Sequence, residues 1–374
     1  MSNDDLPGSA NVDPGAKRRA ATTLAPASAA IPVALSLRNL HPGNFALVMA
    51  SGILSIGLQT LGHEALSDVM GAIAVAAWLL LLAASLLRLL FHPQAVRIDL
   101  LNPRTVFSFF TLVAATSIIG LLLHMHGQVV AAIACWALAF IAWCLLLYLA
   151  FSVLTFLTHE HNVNIVHGGW LIAIVGTQSL VLLGARIAPD LGAYAMYMMV
   201  EVYMLWGLGL SFYGIFVTLF CYRIFFLTLK PQEISPLLWV IMGAAAISAN
   251  AGTTLITEDP RLPFLAAQRP FIDGVTLMMW AWATWWIPML FIFGLWKHGV
   301  NRIPLRYEPV LWSFVFPLGM YAVASARLGL AAEFAPLHWI SQLMIWVALA
   351  VWGLVLVGLL RARLVAWVGT LRSR

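Results

Sequence analysis

The sequence predicts an all-α integral membrane protein of about ten transmembrane helices. Three observations predict it. Hydrophobic residues make up 62% of the 374 residues, charged residues only 9%, and mean hydropathy is +0.92. A soluble domain carries roughly a quarter of its residues charged. Secondly, from Asn44 onward, apolar stretches long enough to span a bilayer alternate with short polar joints. Thirdly, the basic residues are divided unevenly between the two sets of joints, as the positive-inside rule requires.

The spans are expected at about 44–62, 68–91, 105–124, 127–157, 168–186, 191–222, 236–256, 271–297, 309–331 and 339–361. The first carries Ser51, Gly52, Ser55, Gly57 and Gln59. The second is apolar through Ala77–Ala84. The third carries Thr111, Thr116, Ser117 and Gly120. The fourth is apolar through Ala139–Leu147. The fifth carries Gly176, Thr177, Gln178 and Ser179. The sixth holds Glu201 at depth, with Gly207, Gly209 and Gly214. The seventh carries Gly243, Ser248, Asn250, Gly252, Thr253 and Thr254. The eighth has Asp273 near its start and Pro288 after Trp285-Trp286-Ile287. The ninth carries Ser313, Pro317, Gly319, Ser325 and, toward its end, Arg327. The tenth has Gly353 and Gly358.

Small and polar residues thus gather in the odd helices. Polar groups at bilayer depth are costly unless they face partners or water. Small residues also let membrane helices approach closely. The alternation over five hairpins favours an inner ring of odd helices around a path, with the even helices outside. Pro317 kinks the ninth helix, and broken helices are tolerated where they line a cavity. Ser51, Gly52, Ser55, Thr116, Gly176, Gln178, Ser248, Asn250 and Gly319 are the expected pore lining. Glu201 and Arg327 are candidates for a proton site or an ion pair.

With the N-terminus in the cytoplasm, sixteen of the twenty Lys and Arg residues fall in inner segments. Arg186, Arg261, Arg269 and Arg327 remain outside. Both termini are then cytoplasmic, which requires an even number of spans and places the protein in a cell membrane, the inner one in a bacterium. Residues 1–40 read as a mobile tail, 41–365 as the membrane domain and 366–374 as a basic tail. The net charge of +5 matches basic cytoplasmic loops. Beyond Lys17-Arg18-Arg19 there is no basic stripe, so nucleic acid is not an expected partner. Cys135, Cys144 and Cys221 lie in apolar stretches and read as buried thiols.

No nucleophile–base set, P-loop or dinucleotide fingerprint appears in usable context, so the chain reads as a non-enzyme. His63, His92, His124, His126, His298 and His338 sit at span ends, without the facing mid-helix pair that haem ligation requires. His159, Glu160, His161 and His167 cluster in one polar loop, a weak metal signature. No cofactor and no metal are expected.

The stretches Phe45–Ser55, Gly169–Ser179 and Trp312–Gly319 resemble the tellurite-resistance/dicarboxylate transporter family. That family includes the slow-type anion channels of plant guard cells and fungal malate and sulfite transporters. The resemblance runs from about residue 40 to 365 and implies five helical hairpins in quasi-fivefold array around a central pore. It also implies homotrimers with one pore each, and a gate at the ninth-helix Phe before the proline, here Phe316 with Pro317. The expected function is an anion channel or channel-like transporter for C4-dicarboxylate, tellurite, sulfite, chloride or nitrate. The alternatives are a proton-coupled dicarboxylate carrier using Glu201 and, third, a membrane redox or enzyme subunit.

Overall fold

A computed structural model describes residues 37–157, 167–227 and 229–372. The sequence expectations for residues 1–36 and for His159, Glu160 and His161 fall outside the described residues. Leu37–Ala362 forms one compact unit.

The described residues form long helices joined by short turns. They are α1 Ala46–Thr60, α2 Glu64–Phe91, α3 Phe110–Met125, α4 Val129–Ser152 and α5 Ile172–Ile187. There follow α6 Ala195–Phe226, α7 Val240–Thr257, α8 Arg269–Gly294, α9 Trp312–Ala331 and α10 Pro336–Arg372. Among the described residues, nine continuous helical stretches are long and apolar enough to cross a bilayer. The longest, Gly168–Phe226, contains both α5 and α6. They turn back on each other at Ala188–Tyr194, where Gly192 takes φ 55°, a conformation natural only to glycine. α10 runs on past the expected end near 361. Arg361 and Arg363 are good helix formers, and no Pro or Gly intervenes before Gly369.

Burial separates the helices into two sets. In the spans containing α1, α3, α5, α7 and α9, 72–94% of the most apolar window is buried. In α2, α4, α8 and α10 the share is 11–28%. Leu80, Leu145 and Leu354 point outward, each about 70% exposed, a surface suited to lipid.

The odd helices are neighbours in a closed cycle: α1 packs on α3, α3 on α5, α5 on α7, α7 on α9, and α9 on α1. Each begins with a 3₁₀ turn: Pro42–Phe45, Val106–Phe109, Gly168–Leu171, Pro236–Trp239 and Pro309–Leu311. These turns pack on one another in the same cyclic order. The five inner helices therefore run parallel, with all N-termini at one end. Proline opens three of the turns, where its missing N–H costs nothing. His41 Nδ1 accepts from Gly43 N–H at 3.0 Å, His167 Nδ1 from Gly169 N–H at 3.1 Å, and Ser235 Oγ from Leu237 N–H at 3.3 Å. At this end too, buried Arg88 on α2 binds Asp99 at 2.6 Å and the Arg38 carbonyl.

Candidate functional site

Two cavities lie at opposite ends of the inner cycle. The first is at the N-terminal ends. Ala46 and Met49 of α1, Thr111 of α3, Ile172 and Val175 of α5, Val240 of α7, and Ser313, Phe316 and Pro317 of α9 line it. Every inner helix contributes. Its volume is about 20 Å³, room for roughly one water molecule. Phe316 is only 3% exposed, so its ring fills space that would otherwise be open. Pro317 cannot donate to the Ser313 carbonyl four residues back, which loosens α9 at this level. Gly243 of α7 permits the approach, since a Cβ there would stand 2.8 Å from the Pro317 ring.

The second cavity, at the C-terminal ends, has a volume of about 280 Å³. Gln59, Thr60, His124, Arg186 and Arg327 supply its polar wall, and Ile56, Leu121 and Met125 the apolar one. Arg186 pairs with Glu258 at 3.0 Å, and His124 Nε2 meets Asp190 at 2.8 Å. Arg327 Nη1 donates to Asn250 Oδ1 at 3.4 Å.

The expected lining residues are placed differently from one another. Ser51 Oγ accepts from the Trp352 indole at 3.0 Å, and Thr116 Oγ1 from Trp78 at 3.1 Å. Ser55 exchanges bonds with Ser67 on α2. Gln178 Nε2 donates to the Trp206 carbonyl on α6 at 3.3 Å. Ser248 Oγ donates to its own helix at Ala244, and its carbonyl accepts from the Trp206 indole. Asn250 faces α9, with Nδ2 3.5 Å from Met320 Sδ. Gly52, Gly176 and Gly319 are contact points, where a Cβ would meet Ile118, Phe110 and Ile53. The hydroxyls of Ser51, Ser55 and Thr116 therefore serve outer helices, and the cavity beside Phe316 is built mostly from apolar side chains.

A pattern the sequence reading missed explains these placements. Each outer helix donates at least one indole N–H to the inner helix of the next hairpin, and α4 donates two, with Trp136 also reaching the Leu180 carbonyl of α5 at 3.1 Å. Trp78 of α2 reaches Thr116 of α3, and Trp143 of α4 reaches Thr177 of α5 at 2.8 Å. Trp206 of α6 reaches the Ser248 carbonyl of α7 at 3.1 Å, and Trp280 of α8 reaches Ser325 of α9 at 2.9 Å. Trp352 of α10 closes the set on Ser51 of α1. The signal was present as at least one tryptophan in each even helix, opposite hydroxyl residues in four of the odd ones.

Glu201 stands on α6 between Tyr197 and Met204, each 63% exposed. Residues spaced i, i+4 and i+7 share one helix face, so the carboxylate points away from the ring. It has no hydrogen-bond or ion-pair partner among the described residues. Of the loop histidines, His167 is committed to its helix cap. Burial pushes its imidazole down to about 4, helped by the nearby Arg223 and Arg104 cations. His41, also a cap, is lowered mainly by burial, with Asp99 opposing and Arg88 assisting.

These features define a polytopic, all-helical membrane protein with a ring of helices between two end cavities. The chain belongs to the voltage-dependent anion channel family, whose profile matches residues 39–360. That makes it an anion channel or transporter. It is 23% identical over 330 residues to an uncharacterized transporter of Methanocaldococcus jannaschii, covering 86% of this chain and 92% of that one. It is 23% identical over 317 residues to a sulfite efflux pump of Arthroderma otae, covering 79% and 83%. A membrane protein of Mycobacterium tuberculosis is 43% identical over 138 residues, 37% of this chain and 70% of that protein.

Proposed function

We propose that the interior of the odd-helix ring is a conduction path for small anions, closed in this conformation by Phe316. One observation carries the reading: the cavity beside Phe316 is lined by all five inner helices, and only a position on the ring axis touches all five. An aromatic ring in a narrow apolar passage blocks ions by occlusion and dewetting. The shared direction of the inner helices favours anions at the Phe316 end. Five N-termini meet at the Phe316 end, each equivalent to about half a positive charge. With the basic joints inside, that end is cytoplasmic and both chain termini are cytoplasmic.

The sulfite efflux pump among the relatives supports an oxyanion as cargo, alongside chloride, nitrate, tellurite and C4-dicarboxylates. Three copies, each with its own path, form the assembly. The carrier alternative draws no support from Glu201, which lies outside the ring on an outward face.

The test is anion flux from liposomes holding sulfite, malate or chloride, for wild type and Phe316→Ala, with and without a proton gradient. Phe316→Ala should conduct at least about tenfold faster, an opening worth roughly 1.4 kcal/mol or more of barrier. The proton gradient should not matter. A folded Phe316→Ala protein with wild-type flux, or uptake that tracks protons and stops in Glu201→Gln, would sink the gated path and leave a coupled carrier.

A further inference from the structure

The cavity at the C-terminal ends of the inner helices does more than open the path. Three basic side chains reach it, and two are already committed. Arg186 is held by Glu258 and His124 by Asp190. Arg327, on the inner helix α9, has no carboxylate within ion-pair distance among the described residues. A guanidinium carries five N–H donors in a planar fork. Here it has one long bond, to Asn250, and its charged neighbours are Arg186 and Glu258. A half-buried guanidinium with one long bond, facing a cavity of about 280 Å³, can turn its other donors to a ligand there.

We propose that this cavity is a binding site for a small oxyanion, with Arg327 the residue that contacts it. The proposal rests on the reading of the ring as an anion path and adds where the ion is held. The fork geometry favours a ligand offering two oxygens side by side, as sulfite, nitrate or a carboxylate does, over a spherical halide. The volume admits such an ion with part of its hydration, since a water's share of liquid is about 30 Å³. Gln59 and Thr60 supply neutral polar wall. With Arg186 neutralised by Glu258, a single uncommitted cation binds weakly enough to release the ion, as conduction requires.

The experiment uses the full chain in nanodiscs, with sodium sulfite as probe and chloride as comparison. The thermal midpoint is followed against anion concentration for wild type, Arg327→Gln, Arg327→Lys and Gln59→Glu. Sulfite should stabilise wild type at lower concentration than chloride. In Arg327→Gln the half-effect concentration should rise at least about tenfold, the loss expected for charge-assisted bonds. Arg327→Lys should fall between the two. Gln59→Glu leaves Arg327 in place but offers it a carboxylate, and should weaken sulfite to a similar degree. It decides the matter if Arg327→Gln fails to fold. Sulfite stabilisation absent from wild type, or unchanged in both Arg327→Gln and Gln59→Glu, overturns the site. The flux assay separates the two readings. Arg327-dependent sulfite binding with no anion flux, even through Phe316→Ala, sinks the path and keeps the site. Flux through Phe316→Ala with sulfite binding indifferent to Arg327 sinks the site alone.

Discussion

At the scale of single residues, the two histidine caps couple the N-terminal mouth to protons. His167 holds the Gly169 N–H on Nδ1, so its imidazole must be neutral there, and Nε2 is buried. Folding lowers its proton affinity from 6.5 to about 4. Between those values the unfolded chain binds a proton that the folded one refuses. Stability therefore rises with pH across that window. The contribution is full above about 6.5 and lost as pH falls toward 4, with an upper limit of ~3 kcal/mol. Asn keeps a cap acceptor without titrating. Thermal midpoints of wild type and His167→Asn, compared between pH 7 and pH 4, should therefore diverge, with the variant losing less. Parallel curves for the two proteins would show that the cap does not carry the effect. Residues of this kind were half legible. His167 stood out in the sequence as one of a loop cluster, but its partner is a backbone N–H two residues on, a pairing that composition does not announce.

At the scale of elements, the indole bonds tie each outer helix to the inner helix of its neighbouring hairpin. They divide the mid-helix hydroxyls into two uses. Thr177 both accepts from Trp143 and donates to the Ala173 carbonyl, so nothing remains for a passing ion. A buried tryptophan needs a partner for its N–H, and in a membrane the nearest acceptors are hydroxyls and free carbonyls of adjacent helices. Each bond should be worth about 0.5–1 kcal/mol. A double-mutant cycle with Trp143→Phe and Thr177→Val, read from unfolding in detergent, separates that bond from the packing lost with the indole. A coupling indistinguishable from zero would reduce the girdle to ordinary packing. The sequence showed polar residues in odd helices and bulk in even ones, which is correct as a pattern. Its meaning depended on which way each helix is turned, and rotation about the axis is invisible where a helix is apolar on all sides.

For the whole molecule, parallel inner helices and the asymmetry of basic joints point to one orientation. The joints at the N-terminal ends of the inner helices hold Arg97, Arg104, Arg223, Lys230, Lys297, Arg302 and Arg306, against Arg186, Arg261 and Arg269 among the opposite joints. In a chain with Cys135, Cys144 and Cys221 replaced by Ala, a single cysteine at Arg302 should be reached by impermeant thiol reagents only from the cytoplasm. One at Asp259 should be reached only from outside. The reverse labelling would invert the path and put the Phe316 end outside.

The sequence by itself determined that this chain lives in a bilayer, where its helices run, and which set is buried. Those properties depend on transfer free energies summed over about 20 residues at a time, and no tertiary contact can reverse them. It also marked Phe316 and Pro317, through resemblance. Only the tertiary structure decided which inner helices touch, α1 on α3, α3 on α5, α5 on α7, α7 on α9 and α9 on α1. It also decided that Ser51, Thr116 and Gln178 serve neighbouring helices, and that Arg327, unlike Arg186, has no acid partner among the described residues. Those outcomes depend on distances between residues far apart in the chain: Ser51 and Trp352 meet across 301 positions. Helix rotation and ring closure set such distances, and local sequence does not encode either.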